Sequence, residues 1–220
     1  MAGKGKYYES QFEEATIELL RESHWQYTFG DDIHRKYTDP LIEEDLRTFL
    51  AAQYKDKKLT ASEMDGIVAN LRNTGGQNDY YAQQNTFLLY RDGYDFTYSD
   101  GRDNPFRLQY IDFEHPDHNI FRCVNQFVME QGRENRRPDI LLFVNGIPVC
   151  IVELKNPTKQ NATIRDAHTQ ICTRYMRDIP ALLKYCALAV ISDGAKNELG
   201  TTYTPFEFFY EWKKIDNEDK

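Results

Sequence analysis

The chain has 220 residues, 27 of them Lys or Arg and 35 Asp or Glu, for a formal charge of −8, with 40% hydrophobic and 14% aromatic residues. That supply of apolar and aromatic side chains suffices for one sizeable core and argues against disorder. No apolar run approaches the ~20 residues of a membrane span, the N-terminus lacks a signal-peptide apolar stretch, and Cys123, Cys150, Cys172 and Cys186 show no zinc spacing. The reading is a cytoplasmic protein with reduced core thiols and no membrane partner.

In chain order, helices come first. An apolar stripe through Phe12, Ile17 and Leu20 predicts a helix from about Tyr8 to Arg21. A second helix follows Asp39-Pro40 and carries Ile42, Leu46, Phe49, Leu50 and Tyr54. Thr60-Ala-Ser-Glu63 is a capping box opening a third, and a fourth runs from Asp79 to Tyr90, stopped at Gly93. The texture then turns to strands at Tyr94 to Tyr98, Arg107 to Phe113 and Ile120 to Met129. Two nearly continuous apolar runs, Asp139 to Val144 and Ile147 to Leu154, flank Asn145-Gly146 and predict a central, covered hairpin. A helix from Thr163 to about Arg177, a strand from Cys186 to Ser192, a turn at Asp193-Gly194 and a closing helix from Pro205 to Lys214 complete the reading. The fold class is therefore α/β (α+β), a central mixed sheet flanked by helices, with residues 1–93 a helical layer on a core of residues 94–220.

The charge is uneven. Residues 131–185 hold nine basic and five acidic side chains, a net +4 that leaves −12 for the rest. Such a patch suits a polyanion such as a nucleic acid, and Arg136, Arg137, Lys159 and Arg174 are the side chains that would bind one.

The chemistry concentrates in Pro138-Asp139 and Glu153-Leu-Lys155. Glu153 and Lys155 lie two apart on one strand and share a face, and the hairpin folds Asp139 back beside them. Two clustered carboxylates repel unless a cation lies between them, and hard oxygen ligands suit Mg²⁺. A metal-activated water with a lysine nearby is equipment for phosphodiester hydrolysis. An Asp and a Glu-x-Lys at a loose spacing also arise by chance, and a lone Glu-x-Lys is usually a solvated strand end. Strand placement and buried flanks favour the functional reading.

Parity imposes a condition on this site. A regular hairpin closed by Asn145-Gly146 pairs Val144 with Ile147, sets Asp139 opposite Val152, and turns Asp139 and Glu153 to opposite faces. One extra residue repairs the register. A three-residue loop with Gly146 in a bulge, a bulge near Pro148, or irregular backbone at Pro138-Asp139 would each supply it.

Glu153-Leu-Lys155-Asn-Pro157, Arg137-Pro-Asp139, Asn145-Gly-Ile-Pro148, Ile191-Ser-Asp-Gly194, Ile111-Asp-Phe-Glu114 with Pro116 and Asn119, and Asn125-Gln126 together resemble the N-terminal nuclease region of type I restriction enzyme R subunits. The resemblance runs from about Glu9 to Lys214. It implies a restriction-endonuclease-like PD-(D/E)xK domain that cuts double-stranded DNA with Mg²⁺. Asp139 and Glu153 would be metal ligands, Lys155 the catalytic lysine, and Glu13 (with Glu9 as alternative) the first-helix acid. The implied partners are double-stranded DNA and the methylation and specificity subunits. No Gly-x₄-Gly-Lys-[Ser/Thr] loop occurs, so the reading is the N-terminal part of a larger R subunit without its ATP-driven motor. Another PD-(D/E)xK nuclease, for repair or junction resolution, and a catalytically silent DNA-binding or assembly module are the alternatives.

Relatives often carry Gln-x₃-Tyr on the following helix; here the spacing is Gln170-x₄-Tyr175. In an α-helix five residues turn about 500°, leaving Tyr175 about 140° away from Gln170. Gln170 is an accessory candidate, and Tyr175 reads as a packed aromatic. His115-x-x-His118 with Asp112 and Asp117 reads as a turn rather than a metal site, and His168 as a surface histidine.

Overall fold

The computed structural model describes residues 4–155 and 163–211. Its first helix, α1, spans Lys4–Glu22. The chain then enters a strand, β1 (Gln26–Phe29), where sequence patterning shows only helices; four residues are too short to display a period. Helix α2 (Glu43–Gln53) starts three residues past Pro40. Thr60 and Glu63 form the expected reciprocal cap of α3 (Ala61–Asn73). The Asn78 side chain caps α4 (Asp79–Asp92), which stops at Gly93 with φ +64°.

Strands β2 (Tyr94–Phe96) and β3 (Phe106–Leu108) make a separate hairpin. The strand expected through Phe113 ends at Leu108; Tyr110 and Ile111 enter the core as irregular chain. Likewise β4 (Phe121–Asn125) stops at Gln126, whose φ of +55° cannot continue a strand. Met129 falls in a second small hairpin, β5 (Met129–Gln131) with β6 (Glu134–Arg136).

The central hairpin is β7 (Ile140–Val144) and β8 (Ile147–Leu154). A helical stretch follows: α5 (Ile164–Thr169), a π-helical segment (Gln170–Tyr175), α6 (Met176–Asp178) and α7 (Pro180–Leu183). Strands β9 (Leu188–Ser192), β10 (Asn197–Gly200) and β11 (Tyr210–Glu211) finish the sheet. The closing helix expected from Pro205 is instead a 3₁₀ turn, Phe206–Phe208, leading into β11. Pairing β11 with β10 and burying Phe209 outweigh helix propensity there; residues beyond 211 lie outside the described region.

The seven strands order as β1-β4-β7-β8-β9-β10-β11, parallel at β1–β4 and β8–β9 and antiparallel elsewhere. This is a mixed α/β architecture, a seven-stranded sheet flanked by helices. Alternation along β8 sends Ile151 to the face under Ile164, Ala167, Ile171 and Tyr175, and Cys150, Val152 and Leu154 to the face with Ile17 of α1. The α2–α4 layer gathers Leu46, Phe49, Ile67 and Leu71 against Val144 and Ile147 at the hairpin tip. That tip admits only glycine at Gly146, where φ is +75° and a Cβ would come within 2.1 Å of the Ile42 carbonyl oxygen. Beside it, buried Asn145 accepts the Ile120 N–H and donates to the Tyr110 carbonyl and Asn119 Oδ1. Cys123, Cys150, Cys172 and Cys186 are free thiols.

Candidate active site

The register of β7 on β8 resolves the parity condition. Val144 pairs with Ile147 and Phe143 with Pro148, but Leu142 pairs with Cys150 and Ile140 with Val152. Val149 is the extra residue, a bulge beside Pro148, which has no N–H to give the ladder. Carried one step past Ile140–Val152, the shifted register sets Asp139 across from Glu153 on the face covered by α5 and the π segment. Asp139 Oδ2 accepts the Leu154 N–H at 2.8 Å, which fixes its carboxylate at the strand end.

Glu153 is buried, 1% exposed. Burial pushes its carboxyl up to about 8, the Asp139 charge pushes the same way, and Lys155 opposes both. Asp139 is raised too, by burial first, with the Leu154 N–H and Lys155 pulling down and Glu13 pushing up. Lys155 Nζ donates to Glu153 Oε1 at 2.7 Å and to Gln170 Oε1 at 2.9 Å. Gln170 Nε2 donates to the Tyr175 hydroxyl at 2.7 Å, and that hydroxyl donates to Glu153 Oε2 at 3.4 Å. Lys155, Gln170, Tyr175 and Glu153 thus close a ring of hydrogen bonds around one buried carboxylate.

Tyr175 belongs to this ring despite its spacing from Gln170, because the helix is not α-helical between them. From Gln170 to Tyr175 it is a π-helix, with the Met176 N–H reaching the Ile171 carbonyl five residues back. The wider turn absorbs one residue, so both side chains face the sheet. Helical periodicity missed Tyr175 as a site residue because it assumed an unbroken α-helix.

Glu13 of α1 is half-buried and receives Asn125 Nδ2 at 2.7 Å and Gln126 Nε2 at 3.0 and 3.1 Å. The left-handed turn at Gln126 points that amide back at α1, and the Gln126 N–H donates to the Asp139 carbonyl. Glu13 therefore stands near the Asp139 carboxylate, which feels its charge.

Among the basic candidates, Arg136 makes ion pairs with Glu134 and with Asp178, which it meets at 2.6 Å. Arg137 and Arg174 are exposed; Lys159 lies outside the described residues. His168 is half-buried rather than on the surface, edge-on to Phe206 and Phe209, with Nε2 2.8 Å from the Thr204 carbonyl oxygen.

The donor set suits a hard divalent cation. Asp139 and Glu153 offer carboxylate oxygens on one face; without a cation burial opposes the ionisation of both, and the Asp139 charge further opposes that of Glu153. No helix among the described residues is long and apolar enough to cross a membrane.

The sequence model of a family described as "Type I restriction enzyme R protein N terminus" matches residues 6–208. The chain is 30% identical to the HindI endonuclease subunit of a type I restriction enzyme from Haemophilus influenzae, over 96% of this chain and 21% of that protein. It is 39% identical to the putative MjaIXP endonuclease subunit of Methanocaldococcus jannaschii, over 51% of this chain and 11% of that protein. The EcoprrI endonuclease subunit of Escherichia coli is 32% identical over 56% of this chain and 40% of that protein. The chain thus spans about a fifth of the HindI subunit it matches. Matched over nearly its whole length, the chain belongs to the type I restriction enzyme R protein N-terminal family.

Proposed function

We propose that this chain is the Mg²⁺-dependent endonuclease domain of a type I restriction R subunit, hydrolysing phosphodiester bonds of double-stranded DNA. The observation that carries the reading is Asp139 facing Glu153 across a bulged hairpin, with Lys155 on the same face at 2.7 Å from Glu153. The relatives' names, all type I restriction endonuclease subunits, support the same class. DNA and the methylation and specificity subunits are the proposed partners.

Asp139 and Glu153 would hold the metal, which when bound polarises a phosphate oxygen and sharpens a water as nucleophile. Asp139 is kept in place by the Leu154 N–H. Glu153 is aimed by Lys155 and Tyr175. The Lys155 ammonium, steadied by Gln170, is placed to stabilise negative charge growing on the phosphoryl oxygens. Glu13, held by Asn125 and Gln126, adds a third carboxylate nearby that can accept a proton from water. Arg137 and Arg174 offer exposed cations to the DNA backbone.

The test is nicking of supercoiled plasmid with Mg²⁺ by the wild-type chain, Asp139→Ala and Lys155→Ala. Cleavage by the wild type and at least ~100-fold slower cleavage by both variants, of the size seen on removing one catalytic electrostatic group, supports the reading. A wild-type chain that binds neither Mg²⁺ nor DNA would favour an assembly module instead.

A further inference from the structure

Asp112, His115 and His118 lie far from the carboxylate pair. They precede β4 beside the hairpin tip, whereas Asp139 and Glu153 sit at the opposite ends of the central strands, about 17 Å away at the strand rise of five residues. Hydrogen bonds brace the turn from Asp112 to Asn119. The Asp112 N–H donates to Asn119 Oδ1, and Asn119 Nδ2 donates to the Asp112 carbonyl. Asp112 Oδ1 accepts the N–H groups of Glu114 and His115, and Oδ2 accepts Gln53 Nε2 from the end of α2. The carboxylate, with its side chain 5% exposed, is fully oriented before anything binds it.

Two imidazoles converge on that oriented oxygen. His118 Nδ1 is 3.1 Å and His115 Nδ1 3.6 Å from Asp112 Oδ2, and the rings stack with centroids 4.9 Å apart at 19°. All three donor atoms fall within 4.8 Å of one another. His118 Nδ1 is within hydrogen-bond distance of Oδ2, and His115 Nδ1 is within ion-pair distance of the same oxygen. A cation among these three donor atoms would take the place of both contacts. Four-coordinate zinc with bonds of about 2.0–2.1 Å has ligand-to-ligand edges of about 3.3 Å, between the two observed distances.

We propose that Asp112, His115 and His118 form a second metal site, for a borderline transition-metal cation of the Zn²⁺ class, independent of the nuclease reading. Two imidazoles and one carboxylate select Zn²⁺, Co²⁺ or Ni²⁺ over Mg²⁺. The two histidine side chains are 60% and 52% exposed, which leaves a fourth position open to water. Gln53 is the outer-shell partner that orients the carboxylate, so metal binding couples the end of α2 to the turn before β4.

The experiment is equilibrium dialysis of the purified chain against Zn²⁺, with visible spectra of the Co²⁺-loaded chain. The site predicts one Zn²⁺ held in the presence of excess Mg²⁺ and an intense four-coordinate Co²⁺ band. Affinity should fall at least ~100-fold in His115→Ala and His118→Ala and ~10–100-fold in Gln53→Met, and stay unchanged in Asp139→Ala. X-ray absorption on the zinc-loaded wild type should show two imidazoles, a readout that needs no variant to fold. Zinc affinity unmoved by either histidine substitution, zinc lost in Asp139→Ala, or no imidazole scattering would each overturn the proposal.

Discussion

Gln170 and Tyr175 donate and accept one hydrogen bond, 2.7 Å long, across five residues of helix. An α-helix would have pointed them about 140° apart; the π segment brings them to one face, each in contact with a group that touches Glu153 or is Glu153 itself.

Removing the exposed Thr173 should therefore regularise the helix rather than break it. The deletion leaves Gln170 and the tyrosine four residues apart, an α-helical neighbour spacing. The expected outcome is a folded chain with circular dichroism unchanged and nicking within about threefold of wild type, since residues on both sides keep their faces. Tyr175→Phe in the same assay removes the hydroxyl from Glu153 and should lower the rate more than the deletion does.

Stability without metal should fall as pH rises. Glu153 is raised to about 8 in the folded chain and returns to an ordinary carboxyl when unfolded. Between about pH 4.5 and 8 the native state then binds more protons than the unfolded one, so this contribution is full below that window and lost as pH climbs through it. Melting temperatures from about pH 5 to 8.5 should decline in wild type and flatten in Glu153→Gln. Added Mg²⁺ should also flatten the decline; a profile identical in wild type and Glu153→Gln would show that Glu153 titrates normally.

DNA affinity should respond to Arg137 and Arg174, not simply to charge. Reversing both exposed residues should weaken binding evenly across sequences and lower the salt slope by about 2, roughly one for each phosphate no longer neutralised. Arg136 is a poor probe. Its loss strips an ion pair from Asp178, whose side chain is 2% exposed, so Arg136→Ala should lower the melting temperature whatever it does to DNA binding.

Asn145→Ala should cost about 2–4 kcal/mol of folding stability by chemical denaturation. The change leaves the buried Tyr110 carbonyl without that partner, at about 1–3 kcal/mol for an unsatisfied buried group, and the half-buried Ile120 N–H at about 1 kcal/mol. Asn145→Gly, which relieves the positive φ but restores no hydrogen bond, should recover only a small part.

What the sequence made legible was whatever local patterns encode. The Thr60 cap, the stop at Gly93, the Asn145-Gly146 turn and the need for one extra residue between Asp139 and Glu153 all follow from spacing and parity. Which residue bulges was not legible, because Gly146, Pro148 and Pro138 each offered a plausible irregularity. The π segment was invisible for a related reason: an inserted residue leaves the apolar pattern of Ile164, Ala167 and Ile171 intact upstream. Strand β1 and the 3₁₀ turn at Phe206 depend on partners distant in sequence, so local pattern could not find them.

The parallel pairing of β1 with β4 also sets an order of assembly. Gln26 finds its neighbour at Arg122, so during synthesis at about 5–20 residues per second β1 waits several seconds for its partner to be made. Helices α2 and α3 meet at short range and need no such wait, while every closure of the sheet on β1 pays the entropy of a long loop. Pulse-labelled hydrogen exchange during refolding should therefore protect amides of α2 and α3 before those of β1, leaving the Glu13 carboxylate, carried on the helix just ahead of β1, among the last groups of the site to arrive.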